Sequence, residues 1–580
     1  MILLFLVHKG KEEEKKMAEH KEITLPAPVV QRDSRSPSHH HRSSTTTTAR
    51  TVMSATSTLV GEQDILETKP AVLEKQTEDL VAPKPESKSA YANHIDLEAQ
   101  QQRPQPAHSR SSRVWHAVRY TILDIYRRLF TLVFLANIGV FIYVMISQRK
   151  LMALINAAAA NVLACGLARQ PLVVNTIFVV VCSMPRSWPL RLRRIASKVY
   201  HYGGVHSGCG IASLVWYIGF VGVLTRTYVN TNTLTKTPII IAYVILALLL
   251  MIVIVAYPAF RVKLHDWFEL THRFTGWLVV ALFVTLLMVF SHEASSAQGQ
   301  SLGRFIIELP AFWFLMVTVV SIVHPWVFLR KVPVQAEPLS SHAIRLHLDH
   351  TTTSFGKGIQ LSRHPLRDWH GFATFPDPDP FQAPATASSS SSSSSASDPE
   401  KALPVSTSSS PATGGEEKDD EKKTFSCLVS KAGDWTSACI NNPPTHLWKR
   451  GVLLYGFAYA MKVYKRLIIV TTGSGIGPCL SFLGLEGADR PAMRVVWQTR
   501  APRKTYGDGV LDLVSRMDSE PVVIDTNVSG RVDMVPLVNQ LYEEFGAEAV
   551  CVISNPKVTK KVVFDLECRG VPAFGPIFDS

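Results

Sequence analysis

Residues 466–480 read RLIIVTTGSGIGPCL. Ile468, Ile469, Val470, Thr471 and Thr472 are β-branched and favour an extended chain. Gly473, Gly475 and Gly477 follow at once. Glycines so placed permit a tight turn and let backbone approach a pyrophosphate, which a helix N-terminus then attracts. The same glycines would also serve a plain strand-to-helix turn. Around this stretch, apolar β-rich runs recur at 494–499, 521–526 and 548–554. Helix-compatible stretches lie at 478–485, 507–517, 534–545 and 556–569. Strands alternating with helices predict an α/β domain over 461–580 with a parallel, doubly wound sheet.

Upstream, 331–460 reads as short strands, beginning with the alternation AIRLHLDH at 343–350. Two local patterns there suit a bound cofactor. Trp369-His370-Gly371-Phe372-Ala373-Thr374 offers an aromatic to stack on a flat ring, with polar neighbours. Its plainer reading is a strand with a buried Phe. Lys431-Ala-Gly433-Asp-Trp-Thr436 is a turn whose backbone and hydroxyl could meet a phosphate, or an ordinary β-turn. Between them, 384–423 is Ser-rich and then charged, and reads as a disordered insertion.

Further upstream the composition changes. The whole chain has 580 residues, 46% hydrophobic, and net charge +13. Its mean hydropathy is +0.12. The apolar residues concentrate in segments at 129–147, 153–182, 208–228, 238–258, 274–292 and 305–329. Most approach the ~20 residues a helix needs to cross a bilayer. The second carries Arg169 and Pro171, and reads as one kinked helix or two short ones. Basic residues crowd alternate loops: Arg127 and Arg128, then Arg186 to Lys198, then Arg261, Lys263 and Arg273, then Arg330 and Lys331. That alternation predicts six spans over 113–330 with both termini cytosolic. It also accounts for the basic charge without nucleic acid. The eight cysteines form no CxxC or Cys/His metal spacing and read as reduced thiols. Residues 1–112 are polar and read as a disordered tail, and the opening MILLFLV is too short for a signal-peptide core.

In this order, HYGGVHSGCG, FELTHRFTGW, DWHGFATFPDP, SKAGDWT and TTGSGIGPCLSFL resemble segments of the fungal TmpA-type integral membrane flavoproteins, related to the ferric reductase and NADPH oxidase superfamily. The resemblance covers about 115–580. It implies a six-helix transmembrane bundle followed by a ferredoxin-reductase-like module: a small FAD-binding β-barrel, then the NAD(P)-binding α/β domain. His370 and Phe372 match the flavin motif, with Gly371 in place of its proline, Ala373 in place of a hydroxyl residue and Thr374 adjacent. Lys431, Gly433 and Thr436 match the flavin-phosphate turn. Gly473, Gly475, Gly477 and Pro478 match the nicotinamide loop, and Thr499, Arg500 and Arg503 stand where a ribose 2′-phosphate would be met. Ser554 replaces the family's cysteine near the nicotinamide.

The same resemblance implies haem ligands on the third and fifth spans. His206 and His272 suit an inner b-type haem pair. The outer positions, 13 and 14 residues on, hold Gly219 and Phe220 and then Thr285 and Leu286. The expected activity is therefore that of an NAD(P)H-dependent, FAD-containing oxidoreductase in the plasma membrane, passing electrons to an unknown acceptor, with at most one haem. The alternative is a catalytically degenerate flavin- or nucleotide-binding sensor or scaffold.

Overall fold

A computed structural model describes residue 118 and residues 123–147, 150–231, 235–351, 353–377 and 424–576. The expected N-terminal tail and the Ser-rich insertion lie outside the described residues.

The helical part opens with α1 (Ile125–Ser147), α2 (Leu151–Leu167) and α3 (Pro171–Cys182). There follow α4 (Leu190–Ala196), α5 (Gly203–Thr231), α6 (Lys236–Val255), α7 (Pro258–Lys263), α8 (His265–Gln298), α9 (Leu302–Glu308) and α10 (Pro310–Val327). Five of these, α1, α5, α6, α8 and α10, are long and apolar enough to cross a membrane by length and composition. The second apolar segment, expected as one kinked helix or two short ones, is a pair, α2 and α3, bent by 72°. Pro171 has no N–H with which to continue the ladder, and the Gln170 side chain accepts from Val173 N at 3.0 Å to start a new helix. After the bend, α3 leaves the bundle. Val174, Phe178 and Cys182 join the core of the C-terminal part, beside Phe457, Tyr464 and Ile469. By length and composition the described residues thus hold five candidate spans, or six if the bent pair is one span.

Polar ties hold the bundle. Asn161 Nδ2 and Trp216 Nε1 both donate to Asn137 Oδ1, at 2.9 and 3.0 Å. All three residues are buried, so each bond removes a desolvation penalty that an apolar interior would otherwise impose.

The strands begin where α10 ends. They are β1 (Arg330–Pro333), β2 (Gln335–Pro338), β3 (Ala343–Leu348), β4 (Lys357–Ser362), β5 (His370–Pro376), β6 (Phe425–Ser430), β7 (His446–Lys449) and β8 (Leu454–Tyr455), with α11 (Asp434–Asn441) between β6 and β7. Their order is β1-β7-β4-β5-β6-β3-β2, with β8 on β4, and every pairing is antiparallel. Ile344, Leu346, Leu348, Ile359, Leu361, Phe425 and Val429 fill the interior. The alternate β3 residues, Arg345 and His347, are buried as well. Arg345 pairs with Asp377, and His347 Nδ1 lies 3.0 Å from the Asp377 carboxylate. Sequence alternation placed these two on the outer face but did not show that they would be covered.

Next come α12 (Phe457–Met461), β9 (Arg466–Thr472), α13 (Ile476–Leu480), β10 (Ala492–Thr499), α14 (Pro502–Met517), β11 (Val522–Asp525), α15 (Met534–Phe545), β12 (Ala549–Ile553), α16 (Pro556–Cys568) and β13 (Ala573–Phe574). The sheet runs β11-β10-β9-β12-β13 and is parallel throughout. This matches the expected doubly wound domain closely. The expected boundary at 460/461 falls inside α12, one of whose residues, Phe457, packs on α3 and the parallel sheet together.

Candidate functional site

From β9 the chain builds outward through β10 to β11, and from β12 it builds the other way to β13. The order therefore reverses between β9 and β12. In open α/β sheets the crevice beyond the strand ends at such a reversal is where ligands bind. The Gly473–Gly477 loop follows β9 and Ser554-Asn555 follows β12, so both lie at the strand ends where the order reverses.

Each glycine has its own reason. Gly473 takes φ +52°, and its carbonyl accepts from Trp497 Nε1 at 2.9 Å. A Cβ on Gly475 would lie 2.4 Å from Ile553 O and 2.5 Å from Thr471 Oγ1. That space is taken because Thr471 Oγ1 donates to Ile553 O at 2.8 Å, stitching the ends of β9 and β12. Gly477 differs: its Cβ would sit 3.1 Å from Leu428 Cβ on β6, so here the missing side chain lets the parallel sheet pack on the antiparallel one. Pro478 lies within α13 and its carbonyl accepts from Ser481 Oγ at 2.8 Å. The Ser554 hydroxyl meets that of Thr472 across the crevice. Asn555 Oδ1 accepts from Val558 N at 3.1 Å and caps α16. Trp497 was not singled out from the sequence; the pairing of β10 with β9 brings it to the loop.

At the end of β10, Thr499 is buried and its carbonyl accepts from Thr526 N at 2.8 Å. Arg500 is exposed, while Arg503 Nε pairs with Asp508 at 2.8 Å on the surface. Between these cations lies Ala501, which has φ +40° and donates its N–H to Asp525 Oδ1 at 2.9 Å. A side chain in the left-handed region costs ~1–2 kcal/mol, against which glycine loses ~0.5–1 kcal/mol in the unfolded chain. Ala501→Gly is accordingly expected to stabilise the protein by about 0.5–1 kcal/mol. Thermal unfolding of the purified variant checks this, and a lower midpoint would contradict it.

The residues expected to hold a flavin do come together. Trp435, on α11, lies over both partners of the motif, with ring centroids 4.6 Å from His370 and 5.5 Å from Phe372. Burial pushes the His370 imidazole below its ordinary pKa, against the opposing pull of Glu269 and Asp368. Its Nε2 and the Trp435 Nε1 are buried without a partner among the described residues. Thr374 Oγ1 donates to Lys357 O at 2.9 Å and also meets the Thr353 hydroxyl at 2.6 Å. Thr436 Oγ1 accepts from Ala432 N and Gly433 N at 2.8 and 2.9 Å, and donates to Gly433 O at 3.0 Å. The turn Lys431–Thr436, read as a turn after a strand, therefore starts a helix and spends its own donors. The His370 and Phe372 rings thus meet Trp435, whereas the Thr374 and Thr436 hydroxyls bond Lys357 and Thr353 and their own turn respectively.

His206 on α5 and His272 on α8 face each other, ring centroids 6.3 Å apart. His206 Nδ1 is occupied by Cys165, at 2.9 Å from its carbonyl and 3.2 Å from its sulfur. Among the described residues, no group of three or more His, Cys, Asp or Glu is placed to hold a metal ion.

Residues 457–580 match the family model described as adenylate-forming reductase 03009, C-terminal domain. Two curated proteins of Coprinopsis cinerea extend that match. Adenylate-forming reductase 03009 is 40% identical over 469 residues, and adenylate-forming reductase 06235 is 38% identical over 470 residues. Each alignment covers 81% of this chain but 41% of the relative, so the chain spans less than half the length of these proteins. Among solved structures, a flavohemoglobin from Malassezia yamatoensis with bound FAD and heme covers 73% of this chain and 98% of its own, at 11% identity and a TM-score of 0.32. Ferredoxin-NADP+ reductase from Plasmodium falciparum with 2′P-AMP covers 42% and 95%, at 11% identity and a TM-score of 0.27.

The curated matches correct the resemblance drawn from the motifs. Proteins that share most of this chain bear the name adenylate-forming reductase, not that of a TmpA-type or ferric-reductase-like membrane flavoprotein. The activity inferred from that resemblance falls with it: passage of electrons from NAD(P)H through FAD to a separate acceptor at a membrane. So does its alternative, the degenerate flavin-binding sensor or scaffold. A haem on His206 and His272 had no other support.

Proposed function

We propose that this chain is the reducing part of a protein of the adenylate-forming reductase kind, and that a reduced nicotinamide nucleotide binds in the crevice between β9 and β12. The observation that carries this reading is the reversal of strand order at Gly473–Gly477, with Gly475 closed to any side chain by Ile553 and Thr471. The relatives' name supplies the substrate class, a carboxylic acid activated as its adenylate. When bound, the nucleotide supplies a hydride, whose transfer to the activated carbonyl carbon with loss of AMP gives an aldehyde and the oxidised nucleotide.

The chain's residues have defined tasks in this reading. The Gly473–Gly477 backbone cradles the pyrophosphate. Arg500 is the exposed cation nearest the end of β10 and favours a 2′-phosphate, hence NADPH. The Ser554 hydroxyl, oriented by Thr472, donates to the carbonyl oxygen as negative charge gathers there. No step runs through a flavin. The long apolar helices hold the chain in a bilayer as a multi-pass protein; with the bent pair α2–α3 counted as one crossing the spans number six and both ends are cytosolic.

The test is isotopic. Purified protein is given NADPH deuterated at the transferred C4 position together with synthetic aromatic and aliphatic acyl adenylates. Deuterium in the aldehyde is the expected result. Aldehyde without deuterium, or no aldehyde from protein that binds NADPH, overturns the reading.

A further inference from the structure

Between the bundle and the parallel sheet, residues 188–198 read WPLRLRRIASK. This short segment contains α4 and carries two kinds of contact. Arg193 turns inward, where its guanidinium is bidentate to Glu548, at 2.7 and 2.8 Å. Arg191, Arg194 and Lys198 instead line a cavity of about 340 Å³, whose far wall includes Phe574 and Glu567. Three cations thus face one carboxylate, and Glu567 Oε1 already accepts from Ala573 N at 3.1 Å. Arg194 Nη2 donates to Glu548 O at 3.0 Å, while its Nε is buried without a partner among the described residues.

Apolar side chains stand beside these cations. Trp188, Leu192 and Ile195 are 48, 42 and 68% exposed. Cations interleaved with exposed Trp, Leu and Ile on one short segment are the pattern of a stretch lying at a bilayer interface, with its charges among head groups and its apolar residues among acyl chains. In the chain the segment lies between the bent pair α2–α3 and the candidate span α5.

We infer that this cavity binds the phosphate of an anionic phospholipid, with Arg191, Arg194 and Lys198 around the head group and the acyl chains running over Leu192 and Ile195. The site rests on the reading that the apolar helices lie in a bilayer, and it is separate from the nucleotide crevice. Through Arg193 and Arg194, which hold Glu548 just before β12, lipid binding and the seating of the parallel sheet are physically joined.

Native mass spectrometry of the full chain in detergent tests this. The probe is dioctanoyl phosphatidate, with dioctanoyl phosphatidylcholine and inorganic phosphate as comparisons. One tightly bound phosphatidate is expected. Arg191→Gln, at an exposed position, should weaken it about fivefold, and the double variant with Arg194→Gln about 25-fold. Equal binding of phosphatidylcholine, or unchanged affinity in Arg191→Gln, overturns the site. Displacement by inorganic phosphate at the same concentration overturns the lipid and assigns a soluble anion. Recovery of the protein in the carbonate-washed membrane fraction tests the bilayer reading separately, so a failed titration with retained membrane association counts against the site alone.

Discussion

Gly475→Ala is expected to abolish NADPH binding and to destabilise the protein by about 3 kcal/mol, the upper range for forced overpacking. The added Cβ would stand 2.4 Å from a backbone carbonyl, Ile553 O, and 2.5 Å from Thr471 Oγ1. Neither atom is the free end of a flexible chain, since the two are bonded to each other. Relief requires β9 and β12 to part at the very point where the crevice forms. Gly477→Ala is the matched comparison. Its Cβ would meet the Leu428 side chain at 3.1 Å, which can rotate, so a loss of about 1 kcal/mol with retained binding is expected. Nucleotide titration and thermal unfolding of both variants decide the matter. If Gly475→Ala binds NADPH as the wild type does, the crevice between β9 and β12 is not the nucleotide site.

The second large effect lies at the joint between helices and sheet. Arg193 and Glu548 are bidentate, with side chains 6 and 18% exposed. Glu548 also accepts from Lys465 N at 2.6 Å. Removing one partner leaves the other charge buried, so Arg193→Ala is expected to cost about 3–5 kcal/mol. Replacing both residues by apolar ones of similar volume should cost much less, because no unpaired charge remains. Burial raises the Glu548 pKa, but Arg193 and the Lys465 N–H outweigh it and the net shift is downward. The sign of the pH effect follows. A carboxylate depressed in the folded state contributes its full stability above the unfolded value, about 4.3, and loses it as pH falls through the lower folded value. Wild-type thermal midpoints should therefore drop below about pH 4, and the Arg193→Ala variant should show a shallower drop. Equal pH dependence in both proteins would show that the pair is not coupled to folding.

Local motifs proved reliable for shape and unreliable for activity. The strand, glycine turn and helix at 466–480 appear nearly as read, because β-branched runs and glycines act through their own backbone. At 431–436 the reading as a turn missed the helix that starts there, α11. Thr436 has the right spacing to meet a phosphate, but at that spacing its hydroxyl also reaches Ala432 N and Gly433 N and caps α11. Trp435, which covers His370 and Phe372, is a neighbour in the motif whose direction no spacing could show. The resemblance built on such motifs named the wrong relatives, since short cofactor-like turns recur across folds and say little about the reaction they serve.

The sequence alone determined the classes of the parts: apolar helices, then a run of short strands, then a parallel sheet with its glycine loop. Periodicity, β-branching and glycine placement are local properties, and they are written residue by residue. Only the tertiary structure decided where α3 goes, what covers Arg345 and His347, and which strand stands beside β9. Those outcomes depend on residues such as Phe178 and Phe457, or Thr471 and Ile553, that are far apart in the chain. Their meeting is set by the packing of whole elements, so no single stretch of sequence carries it.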